Sequence, residues 1–150
     1  MKTLNNMIKS MAVLGLLGAS AAFAAETPTT PPPGVTIVDA AKAQELHAKG
    51  AIMVDARISS EFGEGTIKGA VSVPYNPEKS AKTAAFDASQ DTFDFSKLKD
   101  KNANYVVFCN SGTCFKSYKA ATVLSRNGYK HIYWYRDGFP DWKAKGLPTE

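Results

Sequence analysis

The sequence predicts an α/β fold with a mainly parallel central sheet and helices on both faces. Segments of strand length alternate along the chain with segments of helical spacing. The strand segments are apolar throughout, not only at every second residue, which is typical of strands that are buried on both faces of a parallel sheet. Active sites in such sheets lie beyond the carboxyl ends of the strands, where loops lead into helices.

The first elements of the fold are a short strand and a helix. Residues 35–38 predict the strand, and Asp39 provides an N-terminal cap for a helix that runs through Ala48 and ends at Gly50. The next three elements are an apolar strand, a helical turn and a further strand, at residues 51–54, 59–63 and 70–73.

The middle of the chain is polar and only weakly periodic. Residues 76–92 are interrupted by Pro77 and predict a long surface loop. Residues 94–98 predict a helical turn after this loop.

The last part of the chain contains the most convincing buried strand, residues 105–108. The segment after Cys114 has apolar residues at helical spacing and ends at Gly128, so it predicts a helix. Those apolar residues are Tyr118, Ala121, Val123 and Leu124. Residues 132–135 predict the final strand.

The first 24 residues have the pattern of a secretory signal peptide. Lys2 and Lys9 precede an uncharged apolar run, residues 11–24, which closes on the small-residue pattern Ala-Phe-Ala. The run is shorter than the roughly 20 apolar residues that cross a bilayer. We therefore expect cleavage after Ala24, a periplasmic or secreted protein, and no stable membrane anchor after cleavage.

The chain divides into three parts: a signal peptide at 1–24, a proline-rich linker at 25–34, and one domain at 35–150. The linker composition favours an extended, semi-rigid spacer. Cleavage removes two lysines and no acid, so the 18 basic and 14 acidic residues become 16 and 14. The basic residues are scattered among acids, and we expect no nucleic-acid partner.

The loop at residues 109–114 carries the predicted chemistry. It follows the most apolar strand and precedes a helix, so backbone N–H groups, freed by Gly112 and unpaired at the helix start, can converge on Cys109. Such an environment lowers the pKa of a thiol and makes a thiolate available at neutral pH. The pattern therefore predicts a nucleophilic cysteine that needs no histidine partner.

Other cysteine chemistries fit the sequence poorly. The two histidines are His47, inside the first helix, and His131, at the edge of the last strand, so neither is expected at the loop and a cysteine-protease dyad is disfavoured. The spacing of Cys109 and Cys114 matches neither zinc-finger nor haem-attachment patterns. We expect no metal and no cofactor.

The chain resembles a single-domain rhodanese, a thiosulfate sulfurtransferase-like protein, over roughly residues 35–150. Three groups of segments carry the resemblance, in the right order and at sensible spacings: residues 54–57 with 60–62 and 65–70, residues 105–109, and residues 128–138 with Trp142 and 146–148. The spacing of the two cysteines is similar to that of a less common Cys-x4-Cys subgroup of exported members.

The resemblance implies a sulfurtransferase in which Cys109 becomes a persulfide. It implies a cradle of backbone amides around Cys109, supplied by Asn110, Ser111, Gly112, Thr113 and Cys114. The implied partners are a small sulfur-donor anion, such as thiosulfate, and a thiol or cyanide acceptor. Preorganised N–H donors would stabilise the persulfide and the leaving sulfite.

The sequence departs from the family at several positions. Many members have an arginine where this chain has Cys114, so a bidentate anion clamp is lost and Lys116 would substitute only as a flexible point charge. Thr66 replaces the family's usual histidine. Asp55 and Arg57 are expected to border the loop, where a structural ion pair is favoured over contact with substrate.

Two alternatives to a turnover sulfurtransferase follow from the same residues. An oxidising compartment permits a Cys109–Cys114 disulfide if the Cα atoms lie within about 7 Å, which would allow redox gating, a thiol oxidoreductase with a redox protein partner, or a purely structural bond. The second alternative is a sulfur carrier or binding module that docks partners through Tyr133, Trp134, Tyr135, Phe139 and Trp142, although core positions are favoured for these aromatic residues.

A phosphatase is disfavoured by the position of the arginines. Cell-cycle phosphatases have a similar fold and a longer loop that ends in a phosphate-binding arginine. After Cys109 the next arginine is Arg126, well inside the predicted helix.

Overall fold

The computed structural model describes residues 25–150, and the predicted signal peptide lies outside the described residues. The sheet has five parallel strands in the order β1-β5-β4-β2-β3. The strands are β1 (Val35–Val38), β2 (Ile52–Asp55), β3 (Val71–Ser72), β4 (Asn104–Phe108) and β5 (His131–Tyr135). The helices are α1 (Ala40–Ala48), α2 (Ser59–Glu64), α3 (Phe115–Arg126) and α4 (Gly138–Ala144). Within residues 25–150, every helix is too short or too polar to span a membrane.

The sheet is covered on both faces, as its apolar strands predict. On one face, Val106 and Phe108 of β4 belong to a cluster that contains residues of α1 and α4. On the other face, Tyr105 and Val107 belong to a cluster that contains residues of α3. Each large apolar side chain that is buried in this way stabilises the fold by about 1.5–3 kcal/mol. The predicted fold class is confirmed.

The local signals at the helix ends also hold. The carboxylate of Asp39 accepts a hydrogen bond from the amide of Lys42 at 2.8 Å, so this side chain caps α1.

The strand predicted at residues 70–73 is only two residues long in β3. The helical turn predicted at 94–98 is a single hydrogen-bonded turn, in which the Leu98 amide donates to the carbonyl of Phe95 at 2.9 Å.

The long loop, residues 76–92, is tied to α3 by buried charges. Lys119 is fully buried, and its ammonium lies 2.9 Å from a carboxylate oxygen of Glu78 and 3.7 Å from Asp91. The same ammonium donates to the hydroxyl of Ser80 at 2.8 Å. The sequence predicted the loop but not this attachment, because its partners are more than 25 residues apart along the chain.

Asp91 is the centre of the hydrogen bonding inside the long loop. Its carboxylate accepts bonds from the hydroxyls of Tyr75 at 2.6 Å and Ser80 at 2.5 Å. Burial alone raises the pKa of Asp91, but the hydrogen bonds from Ser80 and Tyr75 outweigh burial and hold this pKa well below its usual range. Asp91 is therefore ionised at neutral pH, and hydrogen-bond donors in and beside the long loop contact its carboxylate.

The segment before the first strand packs against the domain. Residues 25–34 contain no helix or strand, as predicted, but Thr27 is only 3% exposed and Pro32 is buried. The hydroxyl of Ser125 in α3 donates to the carbonyl of Pro33 at 2.7 Å. Composition describes side chains, whereas this packing also depends on backbone groups. The polar backbone of an extended segment can form hydrogen bonds with the surface of a domain, so composition alone did not predict the packing.

The aromatic residues of β5 and α4 lie mainly in the core. Trp134, Tyr135 and Trp142 are at most 1% exposed, and Tyr133 and Phe139 are half-buried. The core positions favoured for this group are confirmed, so these residues do not form an exposed docking surface.

Candidate functional site

The candidate site lies at the carboxyl end of the central strand, where the fold class predicts it. Cys109 directly follows β4, which lies between β2 and β5, and Cys114 directly precedes α3. We refer to residues 109–114 as the active loop. Its position beyond the strand end gives a ligand access to both backbone and side-chain donors.

Cys109 and Cys114 form a disulfide bond. Their Cα atoms are 6.4 Å apart, inside the limit of about 7 Å for such a bond. Cys109 is 1% exposed, whereas Cys114 is half-buried. The structure therefore shows the oxidised state of the pair, and Cys114 is the more accessible of the two.

Ser117, in the first turn of α3, is the main hydrogen-bonding partner of Cys109. The Ser117 amide donates to Cys109 Sγ at 3.3 Å, and the Ser117 hydroxyl lies 3.0 Å from the same sulfur. A disulfide sulfur carries no hydrogen, so the hydroxyl is the donor. The indole of Trp134 donates to Ser117 Oγ at 3.0 Å and thereby leaves the hydroxyl hydrogen for Cys109. Both donors, together with the amino end of α3, favour negative charge on this sulfur.

The amide cradle expected around a reduced Cys109 stays a prediction, because the structure shows the disulfide. Among residues 25–150, no amide of Asn110, Ser111, Gly112, Thr113 or Cys114 donates to Cys109 Sγ. The Cys114 amide is used inside the loop, where it donates to the carbonyl of Ser111 at 2.9 Å. The disulfide holds the Cys109 sulfur beside Cys114 and α3, so the donors come from Ser117 instead.

The polar side chains of the active loop bind one another and α2. Asn110 donates to the carboxylate of Glu61 at 2.7 Å, and the hydroxyls of Ser111 and Thr113 are 3.0 Å apart. The bond from Asn110 ties the loop to α2, and the contact between Ser111 and Thr113 lies within the loop. A direct role of these residues in binding substrate stays a prediction.

The ammonium of Lys116 is held by partners outside the active loop, and its role as a point charge for substrate stays a prediction. Its ammonium donates to the carbonyl of Tyr75 at 2.8 Å and lies 3.6 Å from the carboxylate of Glu78. The side chain is thus directed to the base of the long loop. The physical reason is that Glu78 offers a fixed, partly buried carboxylate.

Asp55 and Arg57 form a buried ion pair, with 2.6 Å between the guanidinium and the carboxylate. Arg57 also donates to the carbonyl of Gly65 at 2.6 Å, and Thr66 donates to Asp55 at 2.8 Å. The favoured structural interpretation of this pair agrees with its geometry. Thr66 likewise acts as a hydrogen-bond partner of the pair.

The histidines lie away from the active loop, as expected. His47 Nε2 is 2.9 Å from the carbonyl of Lys68. His131 is the first residue of β5 and lies at the opposite end of this strand from the loop.

Two residues that sequence reasoning did not select contact the active loop from outside. The amide and hydroxyl of Thr27 both donate to the carbonyl of Gly112, at 2.7 and 2.8 Å. The guanidinium of Arg136 lies against Gly112, since a Cβ atom at Gly112 would be 2.8 Å from Arg136 Cζ. Arg136 directly follows β5, so the rule that selected the end of β4 could also have selected this residue.

Gly138 fixes the other side of the active loop. Its φ angle is +71°, a conformation that favours glycine, and a Cβ atom here would overlap the carbonyl oxygen of Cys109. The next amide, that of Phe139, donates to the same carbonyl at 2.8 Å. The start of α4 therefore holds the backbone of Cys109 in place.

Comparison with known proteins connects this geometry to one family. Residues 39–145 match the family of rhodanese-like domains. A chloroplastic thiosulfate sulfurtransferase of Arabidopsis thaliana is 31% identical over 109 residues, which are 72% of this chain and 87% of that protein. A mitochondrial protein of Schizosaccharomyces pombe is 30% identical over 97 residues, which are 65% of this chain and 66% of that protein.

Solved structures show the same fold. A rhodanese-related protein from Thermoplasma volcanium aligns with a TM-score of 0.57 at 21% identity, and the alignment covers 77% of this chain and 97% of that one. At this level of identity, the likeness supports the fold alone.

Proposed function

This chain belongs to the family of rhodanese-like domains, and we propose that its reduced form transfers sulfur through a persulfide on Cys109. The observation that carries the proposal is the contact between Cys109 Sγ and the two donors of Ser117. These donors lie where a thiolate on Cys109 would hold its negative charge. The relatives at about 30% identity support the sulfurtransferase family and leave the reaction itself as a proposal.

The first step is reduction of the disulfide by an external dithiol. A thiolate of the dithiol attacks Cys114 Sγ, which belongs to the more exposed cysteine, and Cys109 leaves as a thiolate with the electron pair of the broken bond. The second thiol of the reductant then displaces Cys114, which takes up a proton. Cys109 is the suitable leaving group because Ser117 stabilises its charge.

Sulfur transfer follows in two half-reactions. The Cys109 thiolate attacks the outer sulfur of thiosulfate, the sulfur–sulfur bond of thiosulfate breaks, and sulfite leaves with the electron pair. Cyanide or an acceptor thiolate then attacks the terminal sulfur of the persulfide and restores the Cys109 thiolate. One covalent intermediate shared by two half-reactions predicts ping-pong kinetics.

Intact-mass measurement of the reduced protein tests the proposal. We expect thiosulfate to add the mass of one sulfur atom, and cyanide to remove it. Cys109→Ser removes this gain, whereas the matched variant Cys114→Ser retains it. An unmodified mass in the wild type, or an equal gain in Cys109→Ser, would overturn the proposal.

The disulfide favours a second candidate function, a thiol redox protein that uses the same pair. In this function the dithiol partner is the substrate, and turnover consists of exchange between its thiols and the Cys109–Cys114 bond. The variant Cys114→Ser distinguishes the two functions. We expect it to lose dithiol exchange and to keep persulfide formation. Catalysed exchange in the wild type without any persulfide would favour the redox function.

The predicted compartment is compatible with both functions. Export by the predicted signal peptide at 1–24 would deliver the protein to the periplasm or the exterior, where disulfides persist. Reduction of the pair there requires a dithiol partner. Fractionation of cells that express the full chain, with N-terminal sequencing of the product, tests export and cleavage after Ala24.

A further inference from the structure

Arg136 and Cys109 occupy equivalent places on neighbouring strands. Phe108 of β4 pairs with Tyr135 of β5, so Cys109 and Arg136 are the next residues on two adjacent parallel strands. The guanidinium of Arg136 lies directly on Gly112 of the active loop. An arginine is thus beside the active loop, although the loop itself has none.

The hydrogen-bonding partners of this guanidinium come from the segment before β1. Arg136 donates to the hydroxyl and the carbonyl of Thr27, both at 3.0 Å, and lies 3.5 Å from the carboxylate of Glu26. A planar guanidinium can donate two parallel hydrogen bonds to the oxygens of an anion. The carboxylate of Glu26 already lies on one side of this guanidinium. Glu26 is 72% exposed, so its ion pair is weak and can be displaced.

The space beside Arg136 admits a small ligand. A cavity of about 440 Å³ is lined by Arg136 together with Lys42, Thr29 and the carboxylates of Asp39 and Asp137. Residues 109–114 do not line it, so Arg136, which also lies against Gly112, connects the cavity to the active loop. This volume is within the range of small-molecule sites. The Arg136 side chain is 17% exposed, so an ion in the cavity can reach it without unfolding of the segment.

We propose that Arg136 binds the anionic group of the sulfur donor beside the active loop. When no sulfur donor is bound, Glu26 forms an ion pair with this guanidinium. The inference rests on the proposed function and names its substrate-binding residue. An arginine from the end of β5 thereby supplies the bidentate contact that is missing at Cys114. The segment at Glu26 and Thr27 acts as an internal competitor of the donor.

Two substitutions test the proposal because they are expected to act in opposite directions. Arg136→Gln raises the KM for thiosulfate about tenfold or more, because a charge-assisted contact is lost, with a smaller change in kcat. Arg136→Lys gives an intermediate KM, since an ammonium keeps the charge but not the planar fork. Glu26→Gln lowers the KM about two- to fivefold, because a weak competing ion pair is removed.

A purely structural role for Arg136 gives a different pattern. If the guanidinium only anchors the segment, Arg136→Gln and Glu26→Gln change the KM in the same direction, or neither changes it. Either result would overturn the proposal. The melting temperatures of both variants serve as the control for folding.

Binding without turnover separates this inference from the proposed function. Calorimetric titration of thiosulfate into the double variant Cys109→Ser/Cys114→Ser measures the anion site in a protein that has no thiol. Binding that weakens with Arg136→Gln supports the site even if no persulfide ever forms. Binding that is unchanged by Arg136→Gln overturns it, even if sulfur transfer is confirmed.

Discussion

The long loop, residues 76–92, and the active loop, residues 109–114, both contact the first two turns of α3, but through different kinds of bond. Lys116 and Lys119 hold the long loop by fixed charges and hydrogen bonds. Ser117, between them in sequence, approaches the sulfur of Cys109 with two neutral donors. Buried charges keep one loop in a single place, whereas the disulfide of the other loop can be broken and remade by thiols.

The largest expected effect on stability comes from removing the buried charge under the long loop. Lys119→Met leaves Glu78 and Asp91 without their buried ammonium, and we expect a loss of about 3–5 kcal/mol in the free energy of unfolding. Urea denaturation measures this loss, and the exposed Lys130→Met is the matched control. A loss no larger than that of the control would show that the long loop is not held by charge.

The disulfide of the active loop is expected to contribute less. Cys114→Ser removes a bond that closes a very short loop, for which the chain-entropy relation gives about 2 kcal/mol. Wild-type protein treated with a reductant is the control, since it should unfold at the same denaturant concentration as the variant. A much larger loss in the variant would mean that this bond stabilises the fold as strongly as the charges do.

The donors of Ser117 should affect chemistry more than folding. Ser117→Ala removes the hydroxyl that points at Cys109, and we expect sulfur-transfer kcat to fall about tenfold. Ser125→Ala, on the same helix, is the control because its hydroxyl bonds to Pro33. Unchanged kcat in Ser117→Ala would remove this serine from the proposed site.

The smallest effect is a difference in acid sensitivity. The lowered pKa of Asp91 means that its contribution to stability is complete above its ordinary value near pH 4 and is lost as the pH falls toward its folded value. Asp91→Asn should therefore lose less stability than the wild type between pH 5 and pH 3. Parallel denaturation midpoints for the two proteins over this range would contradict this role.

The parts of the fold that could be predicted from the sequence depend on local signals. The Asp39 cap, the apolar strands and the loop after β4 each arise from residues that are close in the chain. The contacts of Lys119 with the long loop and of Arg136 with Thr27 join residues that are far apart, so no spacing rule shows them. The amide cradle around a free Cys109 sulfur stays a prediction, whereas the contact of the bonded sulfur with Ser117 has no signal in the local sequence.

The hydrogen bond from Trp134 to Ser117 gives the protein an optical signal of its own. The buried indole of Trp134 bonds to the hydroxyl of Ser117, which in turn bonds to the redox-active sulfur of Cys109. Trp142 instead belongs to the cluster on the other face of the sheet. Fluorescence emission from Trp134 should therefore change when a reductant opens the disulfide. Rapid mixing would then follow reduction of the disulfide and each stage of the proposed sulfur transfer without any added dye.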